Sequence, residues 1–548
     1  MKKLTTLAFV ATLLVAGSAF AMSHDKIVAS PNATFTFGVG GAAAGPSTTN
    51  NDDSCDIGVT PAATLLLPYF EVETATRATD TFFTIVNTGY LPQIAHVVVW
   101  TDWSYPVLDF NIFLTGFDVQ PISMYDVIVN GIIAPIPNST TLGGTSSSAT
   151  ATAGGVVLSP IGAFSALNNA NPNINIATCG TLAGKIPGFV TTEVQSLLVT
   201  GAYTGVCTLA GSPASSHPTA TTAVGYVTID VAAVCSQNMP DSPTYVRSEI
   251  LFDNVLTGDY QILNKAAGSN YAGGNPLVSI RAIPEGGPAN TPLTGFQTNL
   301  PYTFYQRYEN SVSFPPPLQN YDRRQPLPAT FAARWIQGGA NAFNASYRIW
   351  REGATGPNTT CNGSGNSADL NSALPVTALV RFDEHENPAI AAGLNVSVPL
   401  PTTPGATFPE TSTTSTSSSQ FPQFASGSPA GDVGGWMYMN LDSGTVCPVI
   451  CVANLALHPT WPNAGARASQ NWVVVSMNGG TGGAATNGLF GVDFDATWLG
   501  NGCNPPIAAP LNQVDPGIGP AGGILVCPQG DPGCTPGVGK YTGTNATP

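Results

Sequence analysis

The stretch "TDTFFTIVNTGYLPQIAHVVVWTDW", residues 79–103, decides the fold. Two runs rich in β-branched and aromatic residues flank Asn87-Thr88-Gly89 and Leu91-Pro92, which mark a turn. Together with "ATLLLPYFEV" before it and "VLDFNIFLTGFDV" after it, it forms a dense strand zone from about residue 61 to 135. These runs mix alternation with continuous apolar stretches, which suits strands packed on one or both faces. Further along, "AVGYVTIDVAAVC" and "SEILFDNVLTGDYQIL" are strand-like. "ATFAARWIQ" (329–337) and "FNASYRIWRE" (343–352) alternate across "GGANA" as a hairpin, with Phe331, Ala333 and Trp335 on one face and Arg334 on the other. "PVTALVRF", "GGWMYMNL", "NWVVVSM" and "GLFGVDFDATWL" complete the core. Helix-forming runs are few. The expected fold is all-β, with two β-sandwich-like regions, immunoglobulin-like or jelly-roll, and long Ser/Thr/Gly/Pro-rich loops.

The N-terminus reads as a bacterial secretory signal: Lys2 and Lys3, the apolar "LTTLAFVATLLVAG", then Ala19-Phe20-Ala21 as the cleavage pattern. The expected organisation is a signal at 1–21, a flexible lead-in at 22–60, and a first sandwich region at 61–290 with a disordered insertion at 139–155. A second region covers 300–505 with a disordered insertion at 402–431, before a Gly/Pro-rich tail at 506–548. No later run reaches the roughly 18 apolar residues of a spanning helix, so no transmembrane anchor is expected. Loss of Lys2 and Lys3 with the leader leaves 15 basic residues against 32 acidic ones, a net of −17. Such a chain repels nucleic acid and anionic lipid.

Ten cysteines behind an export signal imply disulfides. Cys447 and Cys451 are close enough to close a local loop, as are Cys527 and Cys534. Neither pair has redox, haem or zinc spacing.

"RFDEHENP" (381–388) is the most charged segment of a chain only 9% charged. Asp383, Glu384 and Glu386 are candidate Ca²⁺ ligands, the one cofactor under consideration; a wet strand end is the plainer reading. The acidic knot Asn51, Asp52, Asp53 and Asp56 lacks the calcium-loop pattern. Asp102, Asp109 and Asp118 suggest the paired carboxylates of a glycosidase, or turn caps. No nucleophile elbow, zinc-protease or phosphate-loop motif is present, and His24, His96, His217, His385 and His458 are scattered. Eight of eleven arginines fall between residues 281 and 381, interleaved with aromatics. Tyr302, Tyr305, Arg307, Tyr308, Tyr321, Arg323, Arg324, Trp335 and Trp350 are therefore candidate sugar-binding residues, since rings stack on sugars and guanidinium forks hold hydroxyls.

"LLLPYFEVET", "AHVVVWTDWSYPVLDFNIFLTGFDVQPI", "SEILFDNVLTGDY", "IWRE" and "GGWMYMNL…QNWVVVSM" resemble blocks of a set of exported bacterial proteins of unknown function, which carries over no site residues. "FTIVNTG…AHVVVW" also resembles immunoglobulin-like sandwiches of surface proteins. The expected function is an exported, non-catalytic structural or adhesive protein, with glycans or further copies of itself as partners. A carbohydrate-binding protein is the second reading and a carboxylate-based glycoside hydrolase the third.

Overall fold

The structure is a computed structural model. It describes residues 57–102, 104–133, 156–157, 171, 173–175, 186–200, 219–236, 238–240, 245–264, 271–282, 303–305, 322–338, 343–352, 378–385, 411–415, 434–441, 470–479 and 490–499. The chain is all-β and sandwich-like, and its described residues form three sheets. The first is six-stranded, in the order β10 (Val278–Ile280), β1 (Thr64–Glu73), β7 (Thr222–Ala232), β3 (Gln93–Thr101), β4 (Pro106–Leu114) and β6 (Val156–Val157). The second is four-stranded: β5 (Val119–Ser123), β2 (Thr79–Asn87), β8 (Leu256–Asn264) and β9 (Tyr271–Pro276). The third follows the path β13 (Ala378–Asp383), β15 (Gly434–Asn440), β11 (Thr330–Gly338), β12 (Phe343–Arg351), β16 (Asn471–Gly479) and β17 (Phe490–Asp495). Off that path, β14 (Thr411–Ser415) pairs with β12 and β18 (Thr497–Trp498) with β11.

The six-stranded sheet is buried on both faces, which explains its continuous apolar runs. Side chains alternate across a strand. Leu65, Leu67, Val97, Val99, Val227 and Ile229 enter one core, with Phe83, Ile85, Ile122, Tyr260 and Ile262 from the four-stranded sheet. Leu66, Val98, Trp100 and Tyr226 enter the other, with Phe331, Trp335, Trp350, Trp472 and Val475 from the eight-stranded sheet. Residues from both halves of the chain thus share the second core. Gly225 on β7 shows how tight the layering is: a Cβ there would collide with the Trp100 carbonyl oxygen and press on the Phe70 ring.

Four local features depart from expectation or refine it. The turn at Asn87 does not join paired neighbours; β2 and β3 lie in different sheets, so the chain crosses between layers there. The Asn87 side chain anchors the crossing, donating to the Leu91 and Thr115 carbonyls at 2.8 and 2.9 Å. The hairpin β11–β12 pairs only at Gln337 and Gly338 and then opens, β11 running with β15 and β12 with β16. A helix, α1 (Gly188–Thr200), falls in a stretch without a helix expectation; it buries Val194 and Leu198 in the first core.

The segment 402–431, expected to be disordered, contains β14. Thr411 is fully buried there and its hydroxyl donates to the Pro68 carbonyl at 3.0 Å. Threonine is β-branched and suits an extended strand, and the ladder to β12 satisfies its backbone. Polar composition alone misjudged those five residues; the rest of 402–431 lies outside the described residues.

Candidate functional site

Thr64, Asp230, His96 and Asn111 stand directly opposite one another on β1, β7, β3 and β4. Direct pairing places them on one face as a polar row across four strands. All four are fully buried, on the face that meets the eight-stranded sheet. A carboxylate in that position must be paired. Asp230 receives hydrogen bonds from the Thr64 hydroxyl on Oδ1 and from the Tyr245 and Tyr305 hydroxyls on Oδ2, the latter two at 2.5 and 2.7 Å. Arg324 Nε lies 3.3 Å from Oδ1 and also donates to Thr64 Oγ1. Arg324 reaches Asp322 Oδ1 at 3.2 Å and the Leu251 carbonyl at 3.0 Å. Asp322 in turn accepts the Tyr305 backbone N–H at 2.7 Å. From β7, one aspartate therefore gathers four other stretches of chain: β1, the turn at Tyr245 and the segments around 304 and 324.

Burial first, then the Asp230 charge, pushes the Tyr245 and Tyr305 hydroxyls well above their ordinary pKa, so both remain proton donors. Burial works against the Arg324 charge, but Asp230 and Asp322 outweigh it and raise its pKa. Its neighbour Arg323 lies 4.0 Å over the Phe252 ring and is lowered to about 10 by burial and by Arg324. At the far end of the row, His96 Nδ1 lies 2.9 Å from Asn111 Oδ1, and burial depresses its pKa. Asn111 donates to the Ser236 carbonyl at 2.7 Å, and the Ser236 hydroxyl donates to Glu249 at 2.5 Å. Chemically the row holds protons and charges in place. Every member is sealed between sheets.

Aromatic rings border the seam as a chain. Trp100 stacks on Tyr226 at 5.6 Å, Tyr226 meets Trp350 at 5.9 Å, Trp350 meets Phe304 at 5.7 Å and Phe304 meets Tyr305 at 4.9 Å. Tyr305 continues to Tyr245 at 6.1 Å and Tyr245 to His96 at 5.5 Å. This placement corrects the sugar-binding set for the five of its nine residues that are described. Tyr305, Trp335, Trp350, Arg323 and Arg324 are each 2% exposed or less, so their rings and guanidiniums face protein. Trp335 stands under the Arg381 guanidinium at 4.5 Å and donates to the Phe382 carbonyl at 2.9 Å. Tyr302, Arg307, Tyr308 and Tyr321 lie outside the described residues. The alternation that put Trp335 on one face of β11 was correct; the face is the inner one.

Asp383 closes β13, where its carboxylate accepts the His385 backbone N–H at 2.8 Å. Glu384, just beyond the strand, pairs with Arg334 at 3.2 Å, both side chains 55% exposed. Glu386 lies outside the described residues, as do Asn51, Asp52, Asp53 and Asp56. The four cysteines expected to close local loops, Cys447, Cys451, Cys527 and Cys534, also lie outside them. Among the described residues no group of three His, Cys, Asp or Glu side chains could hold a metal ion. Asp118 caps its turn, accepting the Thr115 and Val119 backbone N–H groups at 2.9 Å each. Asp109 does not cap a turn: it sits inside β4, fully buried.

Asp230 escaped the sequence reading, although "VTIDVAAV" carries the signal: one carboxylate inside an unbroken apolar strand. Asp495 was missed too. Its Oδ1 accepts Asn275 Nδ2 from β9 at 2.6 Å and Trp472 Nε1 from β16 at 2.9 Å, tying the four-stranded to the eight-stranded sheet. Burial pushes its carboxyl up to about 6, against those two hydrogen bonds. A raised carboxyl pKa favours the fold at low pH and weakens it as pH rises from about 4 to about 6. Asp495→Asn should remove that slope, worth on the order of 3 kcal/mol. Urea unfolding across this pH range measures it, and an unchanged slope would contradict the assignment.

No protein-family model, curated protein or solved structure matches the chain.

Proposed function

We propose that the chain is exported and acts as a non-catalytic structural or adhesive protein at the cell surface or outside the cell. The observation that carries this reading is the sealed polar row. The ionisable residues gathered in that row fasten the connecting segments around Tyr245, Tyr305 and Arg324 to the six-stranded sheet. Asp230, Arg324, Tyr245 and Tyr305 satisfy one another there, so the row acts as a clamp. The leader-like N-terminus, ten cysteines, low charge and Ser/Thr/Gly-rich insertions support the same reading.

Fractionation with N-terminal sequencing tests it. The expected result is a chain recovered outside the cytoplasm that begins at Met22. A strictly cytoplasmic chain that keeps its first 21 residues would end the proposal.

A further inference from the structure

The outer face of β13, β15 and β11 carries side chains that the core does not use. Arg334, Trp436 and Phe382 pair directly across the three strands, and Ala332 and Tyr438 form the next row on the same face. Phe382 and Trp436 stack at 4.0 Å with their planes 9° apart. Both are half-buried, as is Tyr438, whereas the alternating Met437 and Met439 are fully inside. The Arg334–Glu384 ion pair forms an open rim beside the rings.

We propose that this face is a binding subsite for a neutral polysaccharide, which names the ligand of the adhesive function above and rests on that reading. Rings fixed by a β-ladder offer apolar surface with little conformational entropy left to lose. The rim supplies donors from Arg334 and acceptors from Glu384 with no net charge, which suits hydroxyls that both donate and accept. The chain's net charge of −15 disfavours an anionic ligand. The face spans three strands and roughly 200 Å². That is far below the ~800 Å² per partner of a standard protein–protein interface, so a sugar chain fits it better than a second protein.

The test is affinity electrophoresis of the full chain in gels containing neutral glucans, galactans or mannans, followed by calorimetric titration with oligosaccharides of the polymer that retards it. Trp436→Ala and Phe382→Ala should each weaken binding about tenfold. Glu384→Gln, at a side chain 55% exposed, should weaken it by breaking the ion pair of the rim while leaving the fold intact. Tyr90→Ala, at an exposed turn of another sheet corner, should bind like the wild type. Retardation by no neutral polymer, or by anionic polymers alone, overturns the proposal. So does undiminished binding by both Phe382→Ala and Glu384→Gln, or self-association through this face without sugar binding. Export, read from the N-terminus of the recovered chain, is unaffected by any of these outcomes, so the two proposals fail separately.

Discussion

Replacing Asp230 with alanine is expected to lower the unfolding free energy by about 3–5 kcal/mol, the usual result of removing one partner from a buried ion pair. Asp230 and Arg324 are both fully buried. After the substitution the Arg324 guanidinium keeps Asp322 but loses its second carboxylate. The Tyr245 and Tyr305 hydroxyls lose their shared acceptor, and Thr64 loses one as well. Buried donors left without acceptors add their own desolvation penalty. Urea unfolding followed by tryptophan fluorescence would show the midpoint falling. A variant within about 0.5 kcal/mol of the wild type, the range of ordinary surface substitutions, would show that the row carries no structural load.

Asp109→Leu is expected to do the opposite and stabilise the fold by about 1–3 kcal/mol at neutral pH. Asp109 is fully buried, and neither of its carboxyl oxygens has a hydrogen-bond partner. Burial drives its pKa well above the ordinary carboxylate value. The sign follows from linkage. Below about pH 4 the carboxyl is protonated in both states and contributes little. As pH rises, the unfolded chain ionises first, and the fold loses stability until the folded carboxyl ionises too. The gain from leucine should therefore grow from about pH 4 upward. Parallel stability curves for the two proteins, or a less stable variant at pH 7, would contradict it.

Much of the fold is legible in the chain. "HVVVW" is continuous because β3 feeds two cores: Val97 and Val99 one, Val98 and Trp100 the other. The alternation in "ATFAARWIQ" separates Trp335 from Arg334, one buried and one exposed. Sequence alone cannot say which face is inner, because a strand's period of two is the same seen from either side. In β15 the methionines turned inward and the tryptophan and tyrosine outward, against the simplest expectation from ring size. In β11 the tryptophan turned inward. Tyr305, Trp335, Trp350, Arg323 and Arg324 turned inward for that reason: long-range packing decided which rings were buried. The polar row is the least legible part. Thr64, His96, Asn111 and Asp230 are separated by up to 166 residues, and only the strand order β1-β7-β3-β4 sets them side by side.

The clamp at Asp230 and Arg324 is tested most directly by a double-mutant cycle, with Asp230→Leu, Arg324→Met and the pair together. Each single variant should lose about 3–5 kcal/mol, and the double should lose clearly less than the sum of the two, because neither member of the pair is left facing a missing partner, although Asp322 and the two tyrosine hydroxyls still lose a contact. Additive losses, with no coupling between the two positions, would contradict the account.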